Sequence, residues 1–195
     1  MINDAARDVI RALHINVFVE TGLHEGETVG IVRSWFPALW IISLELDADK
    51  IAACRPKYPD VCYVEGSSER NLKILVDAGV FSGVDHPFFY LDAHWNPYCP
   101  LIDEIEQVLR IPGAVLAIDD FEMSGTAMPF EFGHDGKMHR LDSDFIREHV
   151  PRDRADAVYR PLKPNAHNAG MCFVFLDRPD IDIDRLRLPL TKEVL

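Results

Sequence analysis

The chain has 195 residues, 48% of them hydrophobic, which is enough for one sizeable core and suits a single domain. Its formal net charge of −12 repels phosphate backbones and argues against a nucleic-acid partner. No apolar run reaches the ~18 residues of a membrane span, the start lacks the pattern of a signal peptide, and Cys54, Cys62, Cys99 and Cys172 form neither a CxxC pair nor a disulfide framework. These features predict a cytoplasmic protein that works without membrane or nucleic acid.

Residues 16–19 (NVFV) form the first short apolar run, which stops at Glu20-Thr21-Gly22. The second, 39–44 (LWIISL), ends at Glu45, and the third, 61–64 (VCYV), ends at Glu65-Gly66. The fourth, 87–91 (PFFYL), ends at Asp92, and the fifth, 114–118 (AVLAI), ends at Asp119-Asp120. Continuous apolar runs of this length, rich in β-branched and aromatic residues, read as strands buried on both faces. Helices are predicted over 26–36, 48–58, 68–78 and 100–110. The last of these sets Leu101, Ile102, Ile105, Val108 and Leu109 on one stripe, with Pro100 in its first turn. Strands alternating with helices indicate right-handed βαβ units and a doubly wound sheet.

The C-terminal part differs. Residues 121–151, with Gly125, Gly133 and Gly136, read as a long, initially irregular lid that ends in a short helix near Phe145. Residues 157–162 and 171–176 are two further strands whose link is too short for a helical crossover, so they are predicted to form an antiparallel hairpin. The tail, 177–195, alternates through Ile181, Ile183, Leu186, Leu188 and Leu190. It reads either as an edge strand or as a contact with a second copy of the chain. No second domain is evident within residues 1–195.

In an open α/β sheet, ligands bind beyond the carboxyl ends of the strands, so each polar strand ending is expected to face one crevice. In the loop ETGLHEGET, residues 20–28, Gly22 and Gly26 permit a tight turn, and the following helix points its first amides at the same space. The dinucleotide fingerprint GxGxxG is broken here by Leu23 and His24. Glu20 disfavours a pyrophosphate and favours a ligand that carries an ammonium and a sulfonium. The alternative is an ordinary strand–turn–helix loop. Glu45 suits a ribose, whose two hydroxyl protons a carboxylate can accept, or is a solvated strand-end acid. Ser67 reads as a contact to an adenine edge or as a helix N-cap.

The runs FVETGLHEG, ISLELD, VEGS, YLDAHW and AIDDFE occur in the order and spacing of the motif series of class I SAM-dependent methyltransferases, which the chain resembles; GMCFVF suits that family's antiparallel last strand. The resemblance implies a Rossmann-like, doubly wound, seven-stranded α/β sheet, mostly parallel with an antiparallel C-terminal hairpin, and S-adenosylmethionine (SAM) as cofactor. The cofactor-binding set it implies is Glu20, Thr21, Gly22, Gly26, Thr28, Glu45, Ser67 and Asp92. His24 stands where many members carry glycine. The chain looks most similar to the metal-dependent O-methyltransferases of the catechol and macrocin types. These place one aspartate after the fourth strand and an Asp-Asp or Asp-Asn pair after the fifth.

Asp92, Asp119 and Asp120 fall at those places, an oxygen-only set suited to Mg²⁺ or another hard divalent cation. Such an ion would hold the acceptor's hydroxyls and favour the alkoxide. Without a metal, the same acids would hydrogen-bond substrate or cap structure. His94 is a candidate general base, or a packed or metal-adjacent histidine, so the expected catalytic set is Asp92, His94 and Asp120. Trp95 and Tyr98 are expected either to wall an acceptor pocket or to pack beneath a loop. His134, Asp135 and His139 belong to the predicted lid, where they reach the site on closure or stay solvated.

The expected function is methyl transfer from SAM to a hydroxyl of a small-molecule acceptor. A nicotinamide-dependent oxidoreductase on a similar sheet is the rival, opposed by the missing GxGxxG and by the hairpin. A non-catalytic SAM-binding protein is the other, opposed by the three aspartates.

Overall fold

A computed structural model describes residues 2–94, 98–123, 131–163, 170–178 and 181–195. Each apolar run noted in the sequence becomes a strand: β1 (Val17–Thr21), β2 (Trp40–Glu45), β3 (Cys62–Glu65), β4 (Phe88–Leu91) and β5 (Val115–Asp119). Four helices follow β1 to β4 in turn: α2 (Glu27–Trp35), α3 (Ala48–Cys54), α4 (Ser68–Asp77) and α5 (Leu101–Val108). A helix α1 (Asp4–Ala12) precedes them. The C-terminal part contains β6 (Glu131–His134), β7 (Lys137–Arg140), α6 (Ser143–His149), β8 (Ala157–Pro161), β9 (Met171–Phe175) and β10 (Leu190–Val194).

The main sheet runs β10-β8-β9-β5-β4-β1-β2-β3. Strands β1 to β5 pair in parallel. β9 enters antiparallel against β5, with Ala117 opposite Phe173, and β8 pairs antiparallel with β9. The predicted hairpin is therefore present. The sheet, however, has eight strands and not the seven expected. The additional one is the tail: β10 pairs antiparallel with β8 from Leu190 opposite Pro161 to Val194 opposite Ala157. The alternating residues Ile181, Ile183, Leu186 and Leu188 precede this strand, which shares only Leu190 with them, so the pattern did not mark where the strand lies.

Side chains alternate across the pleat and feed two cores. Val19, Leu44, Leu91, Leu116 and Ile118 face α4, α5 and α6. Phe18, Ile41, Phe88, Tyr90 and Phe173 face α1, α2 and α3. Burial on both faces explains the unbroken apolar runs. Among the described residues, no helix is long and apolar enough to cross a membrane.

The described part of 121–151 is more regular than expected. β6 and β7 form a two-stranded hairpin around Asp135-Gly136, both at positive φ (47° and 76°), the conformation that a two-residue hairpin turn requires. The helix near Phe145 is present as α6, capped by Asp142, whose side chain accepts the Phe145 amide at 3.0 Å. Phe132, Leu141, Phe145 and Ile146 join the same core as α5. Gly125 and Trp95 lie outside the described residues.

Candidate active site

The carboxyl ends of β1, β2, β4 and β5 open into one crevice of about 430 Å³, the place where such sheets bind ligands. Its shape begins at Gly22. This residue sits at φ +85°, and a Cβ there would come 2.8 Å from the Asp92 carbonyl oxygen, so only glycine lets the β1 loop lie against the end of β4. The joint is completed by the Asp92 amide, which donates to Thr21 Oγ1 at 3.2 Å. Gly26 (φ +76°) starts α2 against Cys54, whose Sγ a Cβ would meet at 2.8 Å.

Of the expected cofactor residues, Gly22, Thr28, Glu45 and Asp92 line this crevice. Glu45 Oε2 accepts the His24 amide and Oε1 the Asp47 amide, both at 2.9 Å. His24 itself holds φ +49°, a conformation that glycine adopts freely and that an L-residue reaches only at a cost. The bond to Glu45 helps to hold it there. Thr21 and Gly26 shape the loop from behind. Ser67 occupies the N-cap position of α4, while its neighbours Gly66 and Ser68 line the crevice.

Glu20 lies beneath the crevice, fully buried, where Oε1 accepts the Ser43 hydroxyl at 2.6 Å. Burial pushes its carboxyl up to about 8. Leu46 and Lys50 also line the crevice. The sequence signal for Leu46 is its position directly after the strand-end Glu45, and for Lys50 the first turn of the helix that follows.

At the β4–β5 end, Asp92, Asp119 and Asp120 come together with His94, as the sequence predicts. The Tyr90 hydroxyl donates to Asp119 Oδ2 (2.7 Å) and lies 3.2 Å from Asp92 Oδ2. Burial first, and then the charge of Asp119, push the Asp92 carboxyl up to about 8. Burial and Asp119 also raise the Asp120 carboxyl. His94 Nε2 lies 3.1 Å from Asp120 Oδ2 and Nδ1 4.0 Å from Asp92 Oδ1. Burial lowers the His94 pKa despite these acids, so the imidazole is neutral at pH 7 and suited to accept a proton.

The donor chemistry of three carboxylates fits a hard divalent cation. The Tyr90 hydroxyl bridges Asp92 and Asp119, and the three acids do not offer one oxygen each within 4.8 Å of one another. Beneath them a small cavity of about 20 Å³, roomy enough for about one water, is also lined by Cys99, Glu104 and Leu141. Glu104 on α5 is fully buried, although it stands outside the apolar stripe of its helix. Tyr98 donates to Glu69 at 3.0 Å at the surface.

No protein-family model and no curated protein matches the sequence. Solved structures do match over most of its length. The O-methyltransferase from Bacillus cereus, solved with S-adenosylhomocysteine (SAH), covers 90% of this chain and 82% of its own at 14% identity and a TM-score of 0.60. The chain shares the SAM-dependent methyltransferase fold. TomG, a SAM-bound O-methyltransferase from Streptomyces achromogenes involved in tomaymycin synthesis, gives 14% identity over 88% of this chain and 78% of its own, with a TM-score of 0.59. CalS10, a SAM-bound amino pentose methyltransferase from Micromonospora echinaspora, gives 13%, 88%, 89% and 0.56 in the same order. These relationships rest on the methyltransferase fold and not on sequence.

Proposed function

We propose that the protein is an enzyme that transfers a methyl group from SAM to a hydroxyl of a small molecule. The observation that carries this reading is the arrangement across one crevice. A glycine-turned loop and Glu45 stand at one end, and an acid–histidine cluster stands at the other. The occupants of the similar structures, SAH and SAM, support the donor, and the O-methyltransferases among them support an oxygen acceptor.

On the donor side, the lone pairs of Glu45 left over by the two amides accept ribose hydroxyls. Leu46, an exposed apolar side chain beside Glu45, offers a surface for the base. Glu25, Glu27 and Glu45 make the lining acidic, which favours a cationic sulfonium over a pyrophosphate.

On the acceptor side, the hydroxyl approaches His94 and Asp120. Its oxygen forms a bond to the methyl carbon as the carbon–sulfur bond breaks. The electron pair goes to sulfur, the hydroxyl proton passes to neutral His94, and SAH leaves. Most of the acceleration comes from holding the two reactants in line. A divalent cation held by Asp92, Asp119 and Asp120 would need their oxygens closer together than they stand in this structure, and would then neutralise the acids and lower the acceptor's pKa.

Calorimetry with SAM, SAH and NAD tests the donor. Binding of SAM and SAH without NAD is expected, and tight NAD binding with none by SAM or SAH would overturn it. SAH release from a panel of hydroxyl acceptors tests the transfer. Asp120→Asn is expected to abolish turnover while keeping SAH affinity. Loss of turnover on chelation, restored by Mg²⁺, is the expected sign of the cation.

A further inference from the structure

Away from the crevice, β7 and α6 bring together His139, Glu148 and His149. Each offers one ligand atom, and the three atoms lie within 4.8 Å of one another; among the described residues no other group of His, Cys, Asp and Glu does so.

The imidazoles are already oriented. His149 Nδ1 lies 2.9 Å from the Phe145 carbonyl oxygen. A carbonyl oxygen only accepts, so Nδ1 carries the proton and Nε2 keeps its lone pair. This is the backbone-held arrangement typical of metal-ligating histidines. Phe145 stacks on the His149 ring at 4.4 Å and Phe132 on the His139 ring at 5.5 Å. The two imidazoles stand 5.4 Å apart at 71°. Their walls limit ring motion, while the exposed Glu148 leaves a path from solvent.

Two imidazoles and one carboxylate, with a position left for water, form a zinc-type donor set. Imidazole suits zinc, nickel and copper, whereas magnesium and calcium prefer oxygen alone. The site thus differs in ion class from the acids of the crevice.

We propose that His139, Glu148 and His149 bind a zinc-class divalent cation that fastens the β6–β7 hairpin to the end of α6. The ion would close a link between β7 and a helix already anchored in the core through Phe145 and Ile146. This site does not depend on the methyl-transfer reading.

The test is calorimetric titration of the full, tag-free chain with ZnCl₂ and with MgCl₂, alongside thermal melts. The wild type is expected to bind one zinc per chain at this site and to melt higher with zinc. His149→Gln and His139→Gln are expected to lose most of this binding. Glu148→Gln, at an exposed position where misfolding is not at issue, is expected to weaken it by about tenfold or more. Asp120→Asn is expected to leave it unchanged. Three results would each overturn the proposal: no zinc binding by the wild type, the same zinc affinity in Glu148→Gln and His149→Gln as in the wild type, or loss of zinc on Asp120→Asn alone, which would put the ion in the crevice.

Discussion

Replacing Glu104 by Gln tests whether a buried acid under the crevice holds its proton at neutral pH. Glu104 is fully buried on α5, and burial lifts its carboxyl from 4.5 to about 8, only partly offset by the Ser68 and Thr21 hydroxyls. Between these two values the unfolded chain has released the proton and the folded chain has kept it. Folding stability from this group is therefore fully present below about pH 4.5 and is lost as pH rises towards about 8. At ~1.4 kcal/mol for each pH unit, the loss reaches about 5 kcal/mol, a large part of a typical stability of about 5–15 kcal/mol.

The Glu104→Gln side chain is neutral throughout and carries none of this slope. Thermal melts of both proteins from about pH 5 to about pH 9 should therefore diverge. About 4 kcal/mol of this loss falls within that range, so the wild type is expected to lose roughly 8–16 °C relative to the variant, at about 2–4 °C per kcal/mol for a chain of this size. Taking the difference between the two proteins removes the similar contribution of Glu20. Parallel melting curves would refute the reasoning, because they would mean that Glu104 is ionised in the fold.

Gly22→Ala forces a Cβ towards the Asp92 carbonyl at an unfavourable φ, and should cost about 1–3 kcal/mol and sharply weaken SAH binding, read by melting and calorimetry. Glu45→Gln keeps an acceptor for one backbone amide but loses the charge that holds a diol. Its SAH affinity should fall about tenfold or more, and the melting temperature should drop as well, since the amide left facing the Gln NH2 loses a hydrogen bond to a charged group worth about 1.5–3 kcal/mol. Tyr90→Phe removes the hydroxyl that donates to Asp119 and bridges to Asp92. It should lower stability by about 1–3 kcal/mol, and an unchanged melting temperature would show that the hydroxyl bond contributes nothing.

The five parallel strands and the four intervening helices were legible because a strand covered on both faces must be apolar throughout, and it ends where polar chain begins. The acids at Asp92, Asp119 and Asp120 were found by the same rule, since strand ends converge. Other parts needed the third dimension. Helix α1 hides its apolar stripe among Asp4, Arg7, Asp8 and Arg11, with two small alanines, Ala5 and Ala6, doing half the packing. The β6–β7 hairpin carried a readable Asp135-Gly136 turn, but its strands are four residues each and Met138 is exposed, so no clean alternation marked them. Glu20 and Glu104 look like surface acids in sequence; nothing local says that the fold closes over them. The His139, Glu148 and His149 grouping depends on a turn and a helix bringing positions nine or more apart into contact, which spacing alone does not reveal.

Strand order also sets which parts of the molecule can come apart. β8 is paired in the sheet only through β9 and β10, although it precedes both in the chain. Strand β8, and β10 beyond it, therefore has no strand pairing to the parallel half until β9 has docked on β5, whereas the hairpin and α6 are held by their own core packing. Detachment of β9 would free both outer strands, β8 and β10, together as one cooperative unit. The parallel half from β1 to β5, which carries the donor loop and all three aspartates, would keep every one of its own strand pairings.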